Sequence, residues 1–142
     1  MTIEFALAKD YAIDDDKAEH GTWVPFKGGV EMKIRSFGSR ISRDVREEIE
    51  RPHAVKISRN VASDELQEEL AIEQIARAIV VDWRNVKDVE GADVPCTYDN
   101  RKELFSNKSM KGLLADIVQV ALNQDTFNTD LDAETVKNLP TS

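Results

Sequence analysis

Several residue types that carry chemistry in other proteins are scarce in this sequence. Its 142 residues include one cysteine, Cys96, and two histidines, His20 and His53. A single cysteine excludes an internal disulfide, which fits a reducing compartment. Structural zinc sites use four nitrogen or sulfur ligands, and the cysteine and histidine residues together fall short of that number. We therefore expect neither a metal nor another cofactor.

Long hydrophobic segments are also missing. No run of about 18 apolar residues occurs, so the sequence predicts no membrane span. The first residues lack the basic and apolar regions of a secretory signal. With 41% hydrophobic and 32% charged residues, the chain has the composition of a globular protein with a modest core. Its length suits one domain better than two.

Positive charge is in deficit, and the deficit is uneven along the chain. The formal net charge is −8 and the isoelectric point is about 4.8. Residues 27–59 nevertheless hold nine basic and five acidic side chains, whereas the rest holds ten basic and twenty-two acidic. An acidic protein repels nucleic-acid phosphates, so we expect no nucleic-acid partner. The split suits head-to-tail self-association or an acidic partner, although two solvated faces are the simpler interpretation.

An enzyme hypothesis rests on Cys96, His20 and His53 alone. A nucleophilic cysteine needs a neighbouring base, and both histidines are distant in sequence. A lone cysteine after a proline is more often structural. The segment "DDDKAE" (14–19) lacks the spacing of a calcium loop, and "FKGGVEMK" (26–33) lacks that of a phosphate-binding loop. We therefore predict a protein that is not an enzyme.

Arginines cluster in "RSFGSRISRDVREEIER", residues 35–51. Arginines at this density can contact phosphates, which keeps a DNA-binding regulator open as an alternative. Acidic residues are interleaved with them at a spacing of four, as in the pair Arg46 and Glu50. Such pairs are typical of an exposed helix face, which is the favoured interpretation.

Strand patterns occupy the first part of the chain. Alternating apolar residues from Thr2 to Ala8 predict a short strand, and an acidic loop follows it up to Gly21. The stretch "TWVPFKGGVEMKIRSF" predicts a hairpin whose turn uses Gly28 and Gly29 at positive φ. Pro25 lacks a backbone donor, so the first arm of this hairpin should be an edge strand or bulged.

Helical spacing replaces alternation after Gly38. Apolar residues four apart predict a helix that Ser39 or Ser42 caps and that ends at Pro52. A second helix begins at the N-cap Ser63 and, on its apolar spacing, runs to Trp83. Further helices are predicted after the caps Thr97 or Asp99, after Ser109, and from Asp130 or Asp132 to Pro140.

These elements predict a mostly helical α+β fold, with an N-terminal β-hairpin followed by four to five α-helices in one domain. Within that domain, residues 1–21 form an N-terminal strand and acidic loop, which are expected to be mobile. Residues 22–130 form the core, and residues 131–142 form a C-terminal tail.

Trp83 stands at the end of the longest predicted helix and has two interpretations. It packs at the edge of the core with its indole N–H on a backbone carbonyl, or it anchors a partner, since tryptophan is enriched in interface hot spots. The pattern alone favours the first interpretation.

The segment "VVDWRNVKDVEGADVPCTYDNRKELF" resembles the tail assembly chaperones of long-tailed bacteriophages. In that family a helix ends in a tryptophan and is followed by a short linker and a leucine-bearing helix. The hairpin and the final helices also match in order, so the resemblance covers residues 22–127. The matching positions of the motif are Trp83, Val86, Asp88, Gly91, Val94, Pro95, Tyr98, Asn100 and Leu104.

The resemblance implies a non-enzymatic protein that binds the tape measure protein and assists polymerisation of the tail tube protein around it. It also implies action in the host bacterial cytoplasm and absence from the mature virion. We expect self-association into a homo-oligomer. A chaperone of apolar helices needs apolar patches of its own, and the candidate partner-binding residues are Trp23, Phe26, Trp83, Phe105 and Phe127. The alternative is a structural morphogenesis protein, namely a tail terminator or head–tail connector subunit.

Overall fold

The computed structural model describes residues 2–129, in which a small sheet packs against helices. The strands are β1 (Thr22–Pro25), β2 (Glu31–Ile34) and β3 (Val80–Arg84). The helices are α1 (Ala8–Tyr11), α2 (Asp15–His20), α3 (Arg40–Glu50), α4 (Ala54–Ser58), α5 (Asp64–Gln74), α6 (Tyr98–Ser106) and α7 (Lys111–Leu122). The predicted fold class, α+β and mostly helical, is confirmed.

The sheet is antiparallel, with the strand order β1-β2-β3. The predicted hairpin joins β1 to β2, and its turn has Gly28 and Gly29 at φ 75° and 77°. Pro25 lies on the edge strand β1, as its missing N–H requires. β3 pairs with the other side of β2, with a register shift between Lys33 and Ile34.

Helix starts follow the caps that the sequence indicates. The side chains of Ser39, Ser63 and Thr97 accept hydrogen bonds from backbone N–H groups three residues later, at 3.1–3.2 Å. They begin α3, α5 and α6 respectively. The predicted cap at Ser109 is wrong, because Asn107 caps a 3-10 turn there and α7 starts after Met110.

The predicted helical end at Trp83 is wrong. α5 passes into one turn of π-helix, Ile75–Ile79, and the chain then continues directly as β3. Val80 and Val81 are β-branched and favour strand, and Val80 pairs with Ile34 of β2. Trp83 therefore lies on a strand and not at a hinge between two helices.

Two predictions near the N-terminus are also wrong. Residues 2–7 form no strand, and α1 begins at Ala8. Alternation marks two faces of a segment, but a strand also needs a neighbour for its backbone groups. The expected acidic loop contains α2, which starts where the Asp14 carboxylate accepts hydrogen bonds from the N–H groups of Asp16 and Lys17. The predicted last helix and the 131–142 tail lie outside the described residues.

The core lies between the inner face of the sheet and the surrounding helices. Its largest fully buried apolar side chains come from the sheet and from four helical segments: Met32, Ile34, Ile79, Val80, Phe105, Ile117 and Phe127. α3 packs against α5, and α6 packs against the π-helical turn. Within residues 2–129, none of the helices is long and apolar enough to cross a membrane.

Candidate partner-binding groove

An apolar groove lies between the hairpin, the loop that follows β3, and the facing parts of α6 and α7. Its cavity volume is about 500 Å³, within the range typical of ligand pockets. Its walls are mostly aliphatic and aromatic, and the apolar residues that line them are Phe26, Val30, Met32, Val86, Leu104, Met110 and Leu113. We call this cavity the apolar groove.

The hairpin wall is held by backbone and side-chain hydrogen bonds. The N–H of Phe26 donates to the carbonyl of Val30 at 2.7 Å, across the turn that Gly28 and Gly29 make. The side-chain amide of Asn85 donates to the carbonyl of Gly29 at 3.1 Å. This bond ties the tip of the hairpin to the end of β3, next to the start of the opposite wall.

Val86 and Lys87 of the opposite wall begin a looped segment, residues 86–94, which we call the finger. The N–H of Val94 donates to the carbonyl of Val86 at 2.8 Å, and Lys87 pairs with Asp93 at 2.6 Å. One oxygen of Asp88 accepts from the N–H groups of residues 90 and 92, both at 2.9 Å. These bonds make the predicted linker a defined turn, with Val89 fully exposed at its tip.

Trp83 fastens the base of the finger to the core. Its indole N–H donates to the carbonyl of Val94 at 2.7 Å, which confirms the hydrogen bond that the sequence predicts. The ring meets Phe105 edge to face, with the centroids 6.5 Å apart and the planes at 88°. Only 6% of Trp83 is exposed, so it supports the finger from within the core.

The structure separates the five residues predicted to bind a partner. Phe26 lines the apolar groove, while Trp83, Phe105 and Phe127 are buried in the core. Trp23 is half-buried and carries the guanidinium of Arg84 3.7 Å above its ring. Because neighbouring side chains on a strand point to opposite faces and Val24 packs on the core, Trp23 lies on the outer face of the sheet. A partner-binding role for these five residues stays a prediction.

The groove has charged groups at its rim. Lys27 and Lys87 come from the two walls, and Asp116 comes from α7. Gly112 lies beside them in the first turn of α7, and a Cβ atom added there would meet no atom within 4 Å. Sequence reasoning missed Gly112 and Met110, because only the packing of α7 against the hairpin brings them to the groove. The apolar stripe of α7 was the one sequence signal available.

Cys96 lies outside the groove and is half-buried. Burial raises the pKa of its thiol, although the neighbouring Arg101 guanidinium, which donates to the sulfur, opposes this shift. A raised pKa disfavours the thiolate that a nucleophilic cysteine needs. His20 lies at the surface near Asp16, at 3.8 Å. Among residues 2–129, no three histidine, cysteine or acidic side chains are grouped so as to hold a metal ion.

Comparison with known proteins places the chain among prophage proteins. The model of one family, described as YdaY prophage protein, matches residues 37–138, well over half of the chain. This match includes α3 to α7, the finger and the α7 side of the groove. No curated protein and no solved structure matches the chain. On the extent of the family match, the chain belongs to the YdaY prophage protein family.

Proposed function

We propose that the chain is a non-enzymatic tail assembly chaperone whose apolar groove binds an amphipathic helix of the tape measure protein. One observation carries the proposal: the two segments that resemble this class of chaperone meet in the groove. The hairpin supplies Phe26 and Val30, and the motif that begins at Trp83 supplies Val86 and Leu104. Segments far apart in sequence thus build one apolar surface.

The apolar lining and the charged rim of the groove support recognition of a helix. Amphipathic helices bind hydrophobic grooves through apolar anchors three or four residues apart, and charges at the rim set their direction. Lys27 on one wall and Asp116 on α7 provide rim charges of opposite sign. A net charge of −8 favours solubility while the groove is empty. In this proposal the protein acts in the host cytoplasm, assists the tail tube protein, and uses no cofactor, membrane or nucleic acid.

The proposal is tested with a substitution that is designed to fill the groove and to leave the fold intact. The substitution Gly112→Leu places a side chain at the groove, where a new Cβ meets no neighbour, and removes a glycine from a helix. The chain is co-expressed with the tape measure protein of its own prophage and analysed by size-exclusion chromatography. We expect the wild type to co-elute with soluble tape measure protein, and Gly112→Leu to fold normally but leave the tape measure protein insoluble.

Gly112→Ala is the matched control, because it gains the same helix propensity but leaves the groove open. Co-elution of Gly112→Leu at the wild-type level would show that the groove is not the binding surface. Mass spectrometry of purified particles addresses the alternative function. A tail terminator or head–tail connector stays in the finished particle, whereas a chaperone does not, so detection of this chain in virions would replace the chaperone proposal.

A further inference from the structure

The first residues of the chain form an exposed apolar segment. Residues 2–11, which we call the arm, are all exposed. Four large apolar side chains lie in it, Ile3, Phe5, Leu7 and Tyr11, and each is between 61% and 71% exposed. Monomeric soluble proteins rarely leave such side chains grouped in water, so this grouping indicates an interaction surface.

Within residues 2–129, the arm is tied to the rest of the fold at its root. The side-chain amide of Asn128 donates to the carbonyl of Asp10 at 2.7 Å, and Ile13 forms a β-bridge with Asn128. The N–H of Asp14 donates to the carbonyl of Phe127 at 2.8 Å. The chain is therefore anchored from Asp10 onward, while the apolar side chains before it project from the anchor. The rest of residues 2–129 leaves them exposed.

A second exposed surface, between α3 and α4, combines apolar and basic side chains. A cleft with a cavity volume of about 550 Å³ lies there, which we call the α4 cleft. The side chains that line it are Arg43, Arg46, Glu47, Glu50, Arg51, Ala54, Ile57 and Ser58. Val55 on α4 and Val61 three residues after this helix are 63% and 64% exposed. The α4 cleft shares none of its lining residues with the apolar groove.

The two surfaces have opposite charge. The arm, residues 2–11, holds two acidic side chains and one basic, a net charge of −1, and residues 12–20 after it add four acidic side chains and one basic. Residues 51–59 hold three basic side chains and no acidic one. Within α3, Glu50 is already paired with Arg46 at 2.8 Å, and Glu48 is paired with Arg77 at 3.1 Å. The pair of Arg46 and Glu50 neutralises one charge of each sign in the cleft, which leaves Arg43 and Arg51 against Glu47 and a net charge of +1.

We propose that the arm of one copy of this chain docks in the α4 cleft of a second copy. The apolar side chains of the arm cover Val55 and Ile57, and the acidic residues around it face the arginines of the cleft. Because the arm and the cleft are different surfaces, the contact is head-to-tail: every copy offers one arm and accepts one. This contact supplies the self-association expected from the uneven charge, and it does not depend on the tape measure protein.

Two variants of the full chain test the contact by sedimentation velocity. The arm variant carries Phe5→Ser and Leu7→Ser, and the cleft variant carries Arg51→Glu and Val55→Ser; all four positions are exposed. We expect the wild type to associate in a concentration-dependent manner. Each variant should associate at least about tenfold more weakly. The exposed residue Val89 lies on neither surface, so Val89→Ser is the control and should behave as the wild type.

Mixing the two variants gives the decisive result. The arm variant keeps an intact cleft and the cleft variant keeps an intact arm, so a one-to-one mixture should form dimers that neither variant forms alone. No dimer in the mixture, unaltered association of either variant, or a monomeric wild type would each overturn the proposal. Gly112→Leu should leave self-association unchanged, and both variants should still bind the tape measure protein. Failure of one proposal is thus distinguishable from failure of the other.

Discussion

Glu73 on α5 is the centre of a small polar cluster that joins α5 to α6. The hydroxyl of Tyr98 donates to its carboxylate at 2.6 Å, and the ammonium of Lys102 pairs with the other oxygen. Desolvation raises the pKa of Glu73, but the hydrogen bonds from Lys102 and Tyr98 outweigh it, so the pKa lies below its ordinary value. The same hydrogen bond, together with burial, raises the pKa of Tyr98.

The lowered pKa of Glu73 predicts an acid-dependent loss of stability. A carboxyl whose pKa is lower in the folded state stabilises the fold above its unfolded pKa of about 4.3, and this stabilisation disappears as the pH falls through the folded pKa. We expect Glu73→Gln to cost about 1 kcal/mol of unfolding free energy at neutral pH. It should also flatten the decline of that free energy below about pH 4.3.

Urea titrations at a series of pH values measure this effect. The exposed Glu68 on the same helix provides the matched control, Glu68→Gln. A pH profile of Glu73→Gln that runs parallel to the wild-type profile would show that the cluster does not contribute acid-dependent stability.

Single residues were the most predictable part of this protein. Ser39, Ser63 and Thr97 cap helices as the sequence predicts, because a cap depends on the next three residues only. The glycine turn of the hairpin is equally local. For Trp83, the sequence predicts that the indole N–H donates to a backbone carbonyl, since a buried N–H needs an acceptor. Which carbonyl accepts, that of Val94, depends on the path of the finger.

The most unusual element is the junction where α5 becomes β3 without a loop. Such a junction leaves helix carbonyls without helical hydrogen-bond donors. Two arginine side chains donate hydrogen bonds to these carbonyls instead. Arg35 donates to the carbonyls of Ala78 and Glu19, both at 2.6 Å, and Arg101 donates to that of Ala76 at 2.8 Å. Desolvation lowers the pKa of the Arg35 guanidinium, and the nearby charge of Glu19 opposes that shift.

Removal of the Arg35 guanidinium should therefore destabilise the junction. Arg35→Leu leaves two carbonyls without donors in a half-buried position, and we expect a loss of about 2–4 kcal/mol of unfolding free energy, measured by urea denaturation. Arg84 is the control, because it also makes an ion pair and a ring contact but lies at the surface. Arg84→Leu should cost less than about 1 kcal/mol. Equal losses in the two variants would contradict the role of Arg35.

The same junction explains why β3 was missed. The run Ile79, Val80 and Val81 is apolar without a break, and such a run is compatible with a buried helix or a buried strand. Pairing with β2 makes this segment a strand and not a helix, and a local sequence pattern does not predict that contact. The strand predicted over residues 2–8 failed for the converse reason, since its alternation is real but within the described residues its backbone pairs with no neighbouring strand.

At the scale of the whole molecule, charge and exposed apolar surface act against each other. The net charge of −8 keeps copies apart at neutral pH, while the arm and the apolar groove favour association. The groove itself was beyond sequence reasoning, because it forms where the hairpin, the finger and α7 meet. Only Phe26, among the five predicted partner residues, lines it.

This balance predicts a solubility minimum near the isoelectric point of about 4.8. Loss of net repulsion lets the apolar arm drive association, so the arm variant with Phe5→Ser and Leu7→Ser should precipitate less than the wild type at that pH. Turbidity measured across a pH series checks the effect, with Val89→Ser as the exposed control. Identical turbidity of the wild type and the arm variant would show that the arm does not drive precipitation.

The strand order β1-β2-β3 also sets an order of events during folding. β1 and β2 are neighbours in the chain and close over a short turn, whereas β3 follows only after α3, α4 and α5. During synthesis the hairpin leaves the ribosome long before its third strand does. Until β3 is made, the hydrogen-bonding edge of β2 stays unpaired, and the apolar face that contains Met32 and Ile34 stays uncovered until the later helices pack on it. The newly made hairpin therefore exposes an open strand edge and an apolar face together, a combination that favours aggregation.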